Sequence, residues 1–260
     1  MQLAVRESGQ GPRTAVLVHG IMSDSRAWHR VTAELEAHGF RVIAVDLAGH
    51  GLSPRARRYS PGAWADDVVE TVGPLLDGPP DVVMGHSLGA LVASLVGDRL
   101  APRAAIYVDP AFGFPSGVKG FAMKAFFAVA PRPRRGALVK MNPRWHADDV
   151  EIELATLRDW DKRTILGLAD SRRLVPPQRL VAPSLVVLAE KSLLITAAAA
   201  TAMRRTGMEV LALPGTGHTV FRDDHQGFMS AVVDWLTAQY AVPAHPAAAQ
   251  ELGAVGAVVA

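Results

Sequence analysis

The chain has 260 residues, about half of them hydrophobic (49%), a net charge of +2 and no cysteine. That supplies enough apolar material for one large core with an insertion, and it excludes disulfides, zinc-thiolate sites and cysteine nucleophiles. The near-balanced charge leaves no electrostatic footprint for nucleic acid, and no uncharged apolar run approaches a membrane span.

The opening segment MQLAVRESGQG has no basic stretch leading into an apolar one, so no secretory signal is expected. The expectation is a soluble, cytoplasmic protein that binds a small-molecule substrate, with no nucleic-acid or membrane partner. A short initial strand fits residues 2–8. Apolar, β-branched runs then recur at 14–20 (TAVLVHG), 41–47 (RVIAVDL), 81–87 (DVVMGHS), 103–109 (RAAIYVD), 184–190 (SLVVLAE) and 208–215 (MEVLALPG). Their hydrophobicity is continuous rather than alternating, the pattern of strands covered on both faces. Amphipathic stretches at 25–38, 62–77, 88–100 and 224–240 lie between them, so the pattern predicts an α/β fold with a doubly wound, mostly parallel sheet. From about 112 to 180 the strands stop, and helical patterns with Phe121, Phe126, Phe127, Trp145 and Trp160 take over. Nearly seventy residues are too many for a simple loop. The expected organisation is a core of 1–111 and 181–241, a helical cap over the carboxyl ends of the strands at 112–180, and a mobile low-complexity tail at 242–260.

Three short motifs carry chemistry. GHSLG, Gly85 to Gly89, matches G-x-S-x-G between a strand and a helix, the setting of a nucleophile elbow. Its glycines make room for a sharp turn that presents Ser87. His19-Gly20 ends an early strand, where the backbone N–H of Ile21 is placed to pair with that of Leu88 and hold an oxyanion. His218, in LPGTGHTVF, follows the last strand on a glycine-rich loop and is the candidate general base.

In this order and spacing, HG, VDLAGHGLS, GHSLG and GTGH resemble the α/β-hydrolase superfamily from about Leu3 to Tyr240. The resemblance implies a serine nucleophile working without metal or organic cofactor. It also assigns VDLAGHGLS to a structural loop, leaving Asp46 and His50 without a chemical role. Most relatives carry the triad acid after the strand that here reads SLVVLAE, yet Ala189 replaces the pattern's glycine and Ser192 stands at the aspartate position. Two acids remain. Glu190 lies in that loop but two positions early. Asp109, in VDPAF, ends the strand after the nucleophile's strand, where haloalkane dehalogenases and some lactone hydrolases carry theirs. Related hydrolases pair such a DP with a segment like NPRWHADDVEIELATLRDWD, present here at 142–161. Asp109 is the expected acid and Glu190 the alternative.

The reading is a serine hydrolase cleaving a carboxylic ester, lactone or thioester of a small, apolar substrate through an acyl-enzyme, with Met22, Trp28 and Phe221 lining the pocket. The alternatives are a C–C bond hydrolase, an acyltransferase or a cofactor-free peroxidase using the same triad, or a non-catalytic receptor on the same fold, which only Ser192 favours.

Overall fold

The computed structural model describes residues 1–112, 130–168 and 176–241, together with 118, 122 and 125. The predicted tail at 242–260 and the aromatic residues Phe121, Phe126 and Phe127 lie outside the described residues.

Seven strands form one sheet: β1 Val5–Ser8, β2 Arg13–Val18, β3 Phe40–Val45, β4 Val82–His86, β5 Ala104–Val108, β6 Ser184–Ala189 and β7 Glu209–Leu213. Their order is β1-β3-β2-β4-β5-β6-β7. Only β1 runs antiparallel, against β3 with Val5 opposite Val45; every other pairing is parallel. The central strands are buried along their whole length, as their unbroken apolar sequences require in a sheet covered on both faces. Register does the positioning. His86 pairs with Val108 and Val108 with Val187, so β4 and β5 end level with one another and the next residues, Ser87 and Asp109, emerge side by side.

Helices cover both faces. The predicted helix at 25–38 divides into a 3-10 turn, Ser25–Trp28, started by the Asp24 side chain accepting from Arg26 N–H, and α1, His29–Ala37. The predicted 62–77 helix is α2, Pro61–Val72, capped by Ser60. It stops earlier than expected because Pro74 has no N–H to continue the α-helical ladder, and the chain tightens into a 3-10 turn, Gly73–Leu75. Helix α3, Leu88–Leu100, follows the elbow. Helices α4, Arg135–Met141, and α5, Ala147–Asp159, with a 3-10 segment Lys162–Leu168, fill the described part of the insertion. Then come α6 Ala197–Arg205, the short α7 Val220–Asp223 and α8 His225–Ala241.

Two cores result. On one face Trp64, Val68 and Val96 pack against Val16 and Val83; on the other Trp28, Leu35, Phe228 and Val232 pack against Leu17 and Met84. Fully burying each of these large side chains contributes about 1.5–3 kcal/mol. A third, small cluster of Leu138, Val150, Leu157 and Trp160 sits within the insertion and abuts Ile21 and Met22. Among the described residues no helix is long and apolar enough to cross a membrane.

Candidate active site

The elbow follows from close approach. A Cβ on Gly85 would stand 2.2 Å from the Gly89 carbonyl oxygen, and one on Gly89 would stand 2.1 Å from that of Val18. Neither position tolerates a side chain. Between them Ser87 adopts φ 53°, ψ −114° at the start of α3, a left-handed conformation that costs a non-glycine residue about 1–3 kcal/mol. Its backbone is clamped on both sides: Ser87 N–H donates to Val108 O (2.9 Å), and Ser87 O accepts from Ala111 N–H (3.0 Å). The VDPAF segment is therefore the brace of the Ser87 turn.

Strain recurs one strand away. Asp109 has φ +36° and is fully buried. Its backbone N–H donates to Val187 O, and its Oδ1 accepts from Ala189 N–H at 3.3 Å. Oδ2 lies 2.6 Å from Nδ1 of His218. A carboxylate accepts only, so Nδ1 carries the proton and Nε2 is left as the basic nitrogen. Three of the four described non-glycine residues with positive φ (Met22, Ser87 and Asp109) belong to this site; Ala101 caps α3.

The histidine's loop is fixed through its backbone. Gly217 N–H donates to Asp223 Oδ2, while Gly215 N–H donates to Glu190 Oε2, each at 2.7 Å. His86 Nε2 donates to the His218 carbonyl at 2.9 Å. Burial, then the nearby His218 charge, pushes His86 well below the usual histidine value, so its ring is a neutral strut. Glu190, the alternative acid, makes no hydrogen bond or ion pair to His218 among the described residues; it is exposed and holds Gly215 instead. Ser192 accepts from Leu194 and Ile195 N–H at 3.2 and 3.0 Å. The serine at the family's aspartate position is thus a turn cap.

On the opposite wall, His19 Nδ1 donates to Gly20 O (2.7 Å) and Nε2 accepts from Leu47 N–H (2.9 Å). That arrangement needs a neutral ring, and burial pushes the His19 pKa down. Gly20 O and Ile21 N–H belong to one planar peptide, so His19 sets the direction of the Ile21 donor. Leu88 is the first residue of α3, where an N–H has no intrahelical acceptor. A Cβ on Gly20 would meet His86 Nδ1 at 2.8 Å. The glycine is what lets this peptide approach the elbow.

Ser87, His218, Ile21, Leu88, Met22 and Phe221 all open onto one cavity of about 430 Å³. Trp28 does not line it, contrary to expectation. Trp28 is fully buried and stacks behind Phe221, with centroids 4.5 Å apart; nearness in sequence to Ile21 did not place it on the open side of that loop. Among the wall residues not anticipated are an acid and a base: Glu153 from α5 and Arg222 from α7, joined by a 2.7 Å charge-assisted bond. The available signal was the i, i+4 spacing of Asp149 and Glu153, which puts both acids on one face of α5. Among the described residues no three His, Asp or Glu side chains are grouped to hold a metal ion. Asp46 accepts from Ser25 and Leu52 N–H, and His50 is fully buried with its pKa lowered to about 3 by burial; both are occupied in shaping their loop.

Comparison with known proteins agrees with this architecture. Residues 15–231 match the model of the alpha/beta hydrolase family, and the chain belongs to that family. The chain spans less than two thirds of the length of several of the curated relatives it matches. A 2-(acetamidomethylene)succinate hydrolase of Mesorhizobium japonicum is 29% identical, over 91% of this chain and 92% of its own. The dihydrolipoyllysine-residue acetyltransferase component of an acetoin cleaving system of Pseudomonas putida is 32% identical over 82% of this chain, and the match spans only 60% of that longer protein. A thermophilic esterase from Thermogutta terrifontis superposes with a TM-score of 0.73 at 24% identity, covering 91% of this chain and 93% of the other.

Proposed function

We propose that the protein is a serine hydrolase that cleaves a carboxylic ester, lactone or thioester of a small, largely apolar substrate through an acyl-enzyme. The observation that carries this reading is the 2.6 Å contact between buried Asp109 and His218 Nδ1, beside a serine on a braced, left-handed turn opening onto the same cavity. His218 Nε2 takes the proton of Ser87 Oγ as the oxygen attacks the substrate carbonyl carbon. The tetrahedral oxyanion is held by the Ile21 and Leu88 N–H groups, at the positive end of α3. Asp109 keeps the proton on Nδ1 and stabilises the imidazolium. His218 then protonates the leaving alcohol or thiol; water, deprotonated by the same ring, releases the acid and restores Ser87.

Ile21, Leu168 and Leu194 make much of the cavity wall apolar, which suits an apolar acyl or alcohol group. The insertion acts in this reading as a cap: Glu153, Ile165 and Leu168 supply its share of the wall. A fluorophosphonate probe with intact-mass detection tests the mechanism. The expected result is one adduct on wild type and none on Ser87→Ala, with ester turnover falling about 10⁶-fold in the variant. Unlabelled wild-type protein, or a Ser87→Ala variant that still turns over, would overturn it.

A further inference from the structure

The cavity wall contains a built polar feature that ester hydrolysis itself does not require. Glu153 projects from α5 into the cavity with its side chain only 16% exposed, and Oε2 accepts from Arg222 Nη1 at 2.7 Å. Arg222 is itself 3% exposed and is packed over the Trp145 ring at 4.6 Å. Its Nε lies 3.5 Å from Asp149 Oδ1, and Asp149 is fully buried at the root of the same helix face. Arg30 and His29 also approach Asp149, at 3.7 and 3.9 Å. Burial pushes the His29 pKa down, against the Asp149 charge.

Two features define what such a wall accepts. An anionic ligand is disfavoured, because Arg222 lies between two carboxylates, 2.7 Å from Glu153 and 3.5 Å from Asp149, and its unpartnered Nε and Nη2 are sealed off from solvent. Glu153, by contrast, engages the guanidinium through a single oxygen. Oε1 has no partner among the described residues and is not one of the sealed-off buried polar atoms. A carboxylate serving only as a structural clamp would gain more by placing both oxygens on the guanidinium fork. Here the Arg222 bond and the packing of Arg222 on Trp145 instead hold the carboxylate still at the cavity wall and leave Oε1 open to a further donor. Leaving that acceptor against an apolar substrate would cost desolvation without return.

We propose that Glu153 recognises a hydrogen-bond donor on the substrate, away from the scissile carbonyl: a hydroxyl, an amide N–H or an ammonium group on an otherwise apolar skeleton. This rests on the hydrolase reading above and deepens it. The substrate is an apolar ester, lactone or thioester with a donor at its tip, and Glu153 is the residue that selects it.

The test uses matched pairs of p-nitrophenyl esters, butanoyl to octanoyl, in which the terminal methyl is either kept or replaced by a primary amide. Acetate esters of the corresponding alcohols, followed by acid release, carry the same pairs in the leaving half. The readout is the ratio of kcat/KM within each pair, in which losses common to both members cancel. A charge-assisted hydrogen bond predicts that wild type favours the amide member about 10- to 100-fold at the best length of one series. Glu153→Leu should reverse that preference. Glu153→Gln, which retains an acceptor and a partner for Arg222, should keep a reduced preference and gives the answer if the leucine variant fails to fold. Wild-type ratios favouring the methyl member throughout both series, or an amide preference that survives both substitutions, would overturn the assignment. Either result in an enzyme whose Ser87 still takes up fluorophosphonate sinks only the role of Glu153, whereas failure to label sinks the hydrolase mechanism itself.

Discussion

Strands β5 and β6 lie side by side, run in the same direction, and each is followed by an acid. Both acids serve the loop that carries His218, and they serve it differently. Asp109 is fully buried, sits in a left-handed turn and meets the imidazole; Glu190 is exposed and meets the backbone of Gly215 three residues earlier. Of two acids reaching one loop, the one that turns back beneath it can touch the ring. Asp109 does so because Ala111 N–H must return to Ser87 O, which bends the chain at Asp109-Pro110. Glu190 continues outward, with its own N–H on Thr216 O.

The sharpest way to break this comparison is to neutralise each acid without changing its shape. Asp109→Asn preserves volume, and asparagine tolerates a left-handed turn better than most residues, so the fold should persist. The amide can no longer enforce a proton on Nδ1, and the wrong tautomer costs on the order of 10⁴-fold in turnover, or roughly 5.5 kcal/mol of barrier. Glu190→Gln retains an acceptor for Gly215 N–H, so turnover should change by less than about tenfold, since an exposed residue acts only through screened electrostatics. Steady-state kinetics of the two variants on one activated ester decide the matter; equal losses, or a larger loss at Glu190, would reverse the roles.

How much of this was legible beforehand depends on what each element obeys. The sheet was readable because buried parallel strands impose continuous apolar runs, and the elbow because a Cβ at 85 or 89 would stand about 2 Å from a backbone oxygen, which admits only glycine there. Asp109 could be proposed because an acid abruptly ends a buried apolar strand in VDPAF, because some members of the resembled superfamily carry their acid at that strand end, and because Ser192 leaves the usual acid position empty. Trp28 was misjudged, since a short 3-10 turn gives no periodicity from which to read a face. Glu153 and Arg222 were missed for a related reason: the approach of α5 to α7 depends on how an inserted helical segment packs, and no strand register carries that information.

His218 is partly exposed, whereas His19, His50 and His86 are buried and each has its pKa lowered, in every case chiefly by desolvation. A histidine with a depressed folded value binds fewer protons folded than unfolded once pH drops below the ordinary 6.5. Stability is therefore complete above about pH 6.5 and is lost progressively as pH falls toward the folded values, about 3 for His50. Each group adds a slope of up to about 1.4 kcal/mol per pH unit. Urea midpoints between pH 7 and 4.5 should fall steeply, and His50→Gln should flatten the curve by about one group's share. A flat profile over that range would show that these rings protonate freely in the folded state.

The smallest expected effect concerns Ser192, which stands at the position where most of the family carries its acid. Its hydroxyl accepts from the N–H groups of Leu194 and Ile195, a local side-chain turn of the kind that fixes loop direction. Leu193 and Leu194 line the cavity, and Ile195 packs in the core beneath. The hydroxyl therefore orients one rim of the site without touching the Asp109–His218 pair. Ser192→Ala removes one acceptor shared by two donors, and Leu194 and Ile195 N–H must then find water. The expected cost is about 1 kcal/mol of stability, read as a lower denaturant midpoint. Turnover on a short ester should stay within a few-fold of wild type, and KM for longer esters should rise as Leu193 and Leu194 loosen. A loss of turnover approaching that of Asp109→Asn would instead mean that the β6 loop still takes part in the chemistry, and the division of labour between the two strand ends would have to be redrawn.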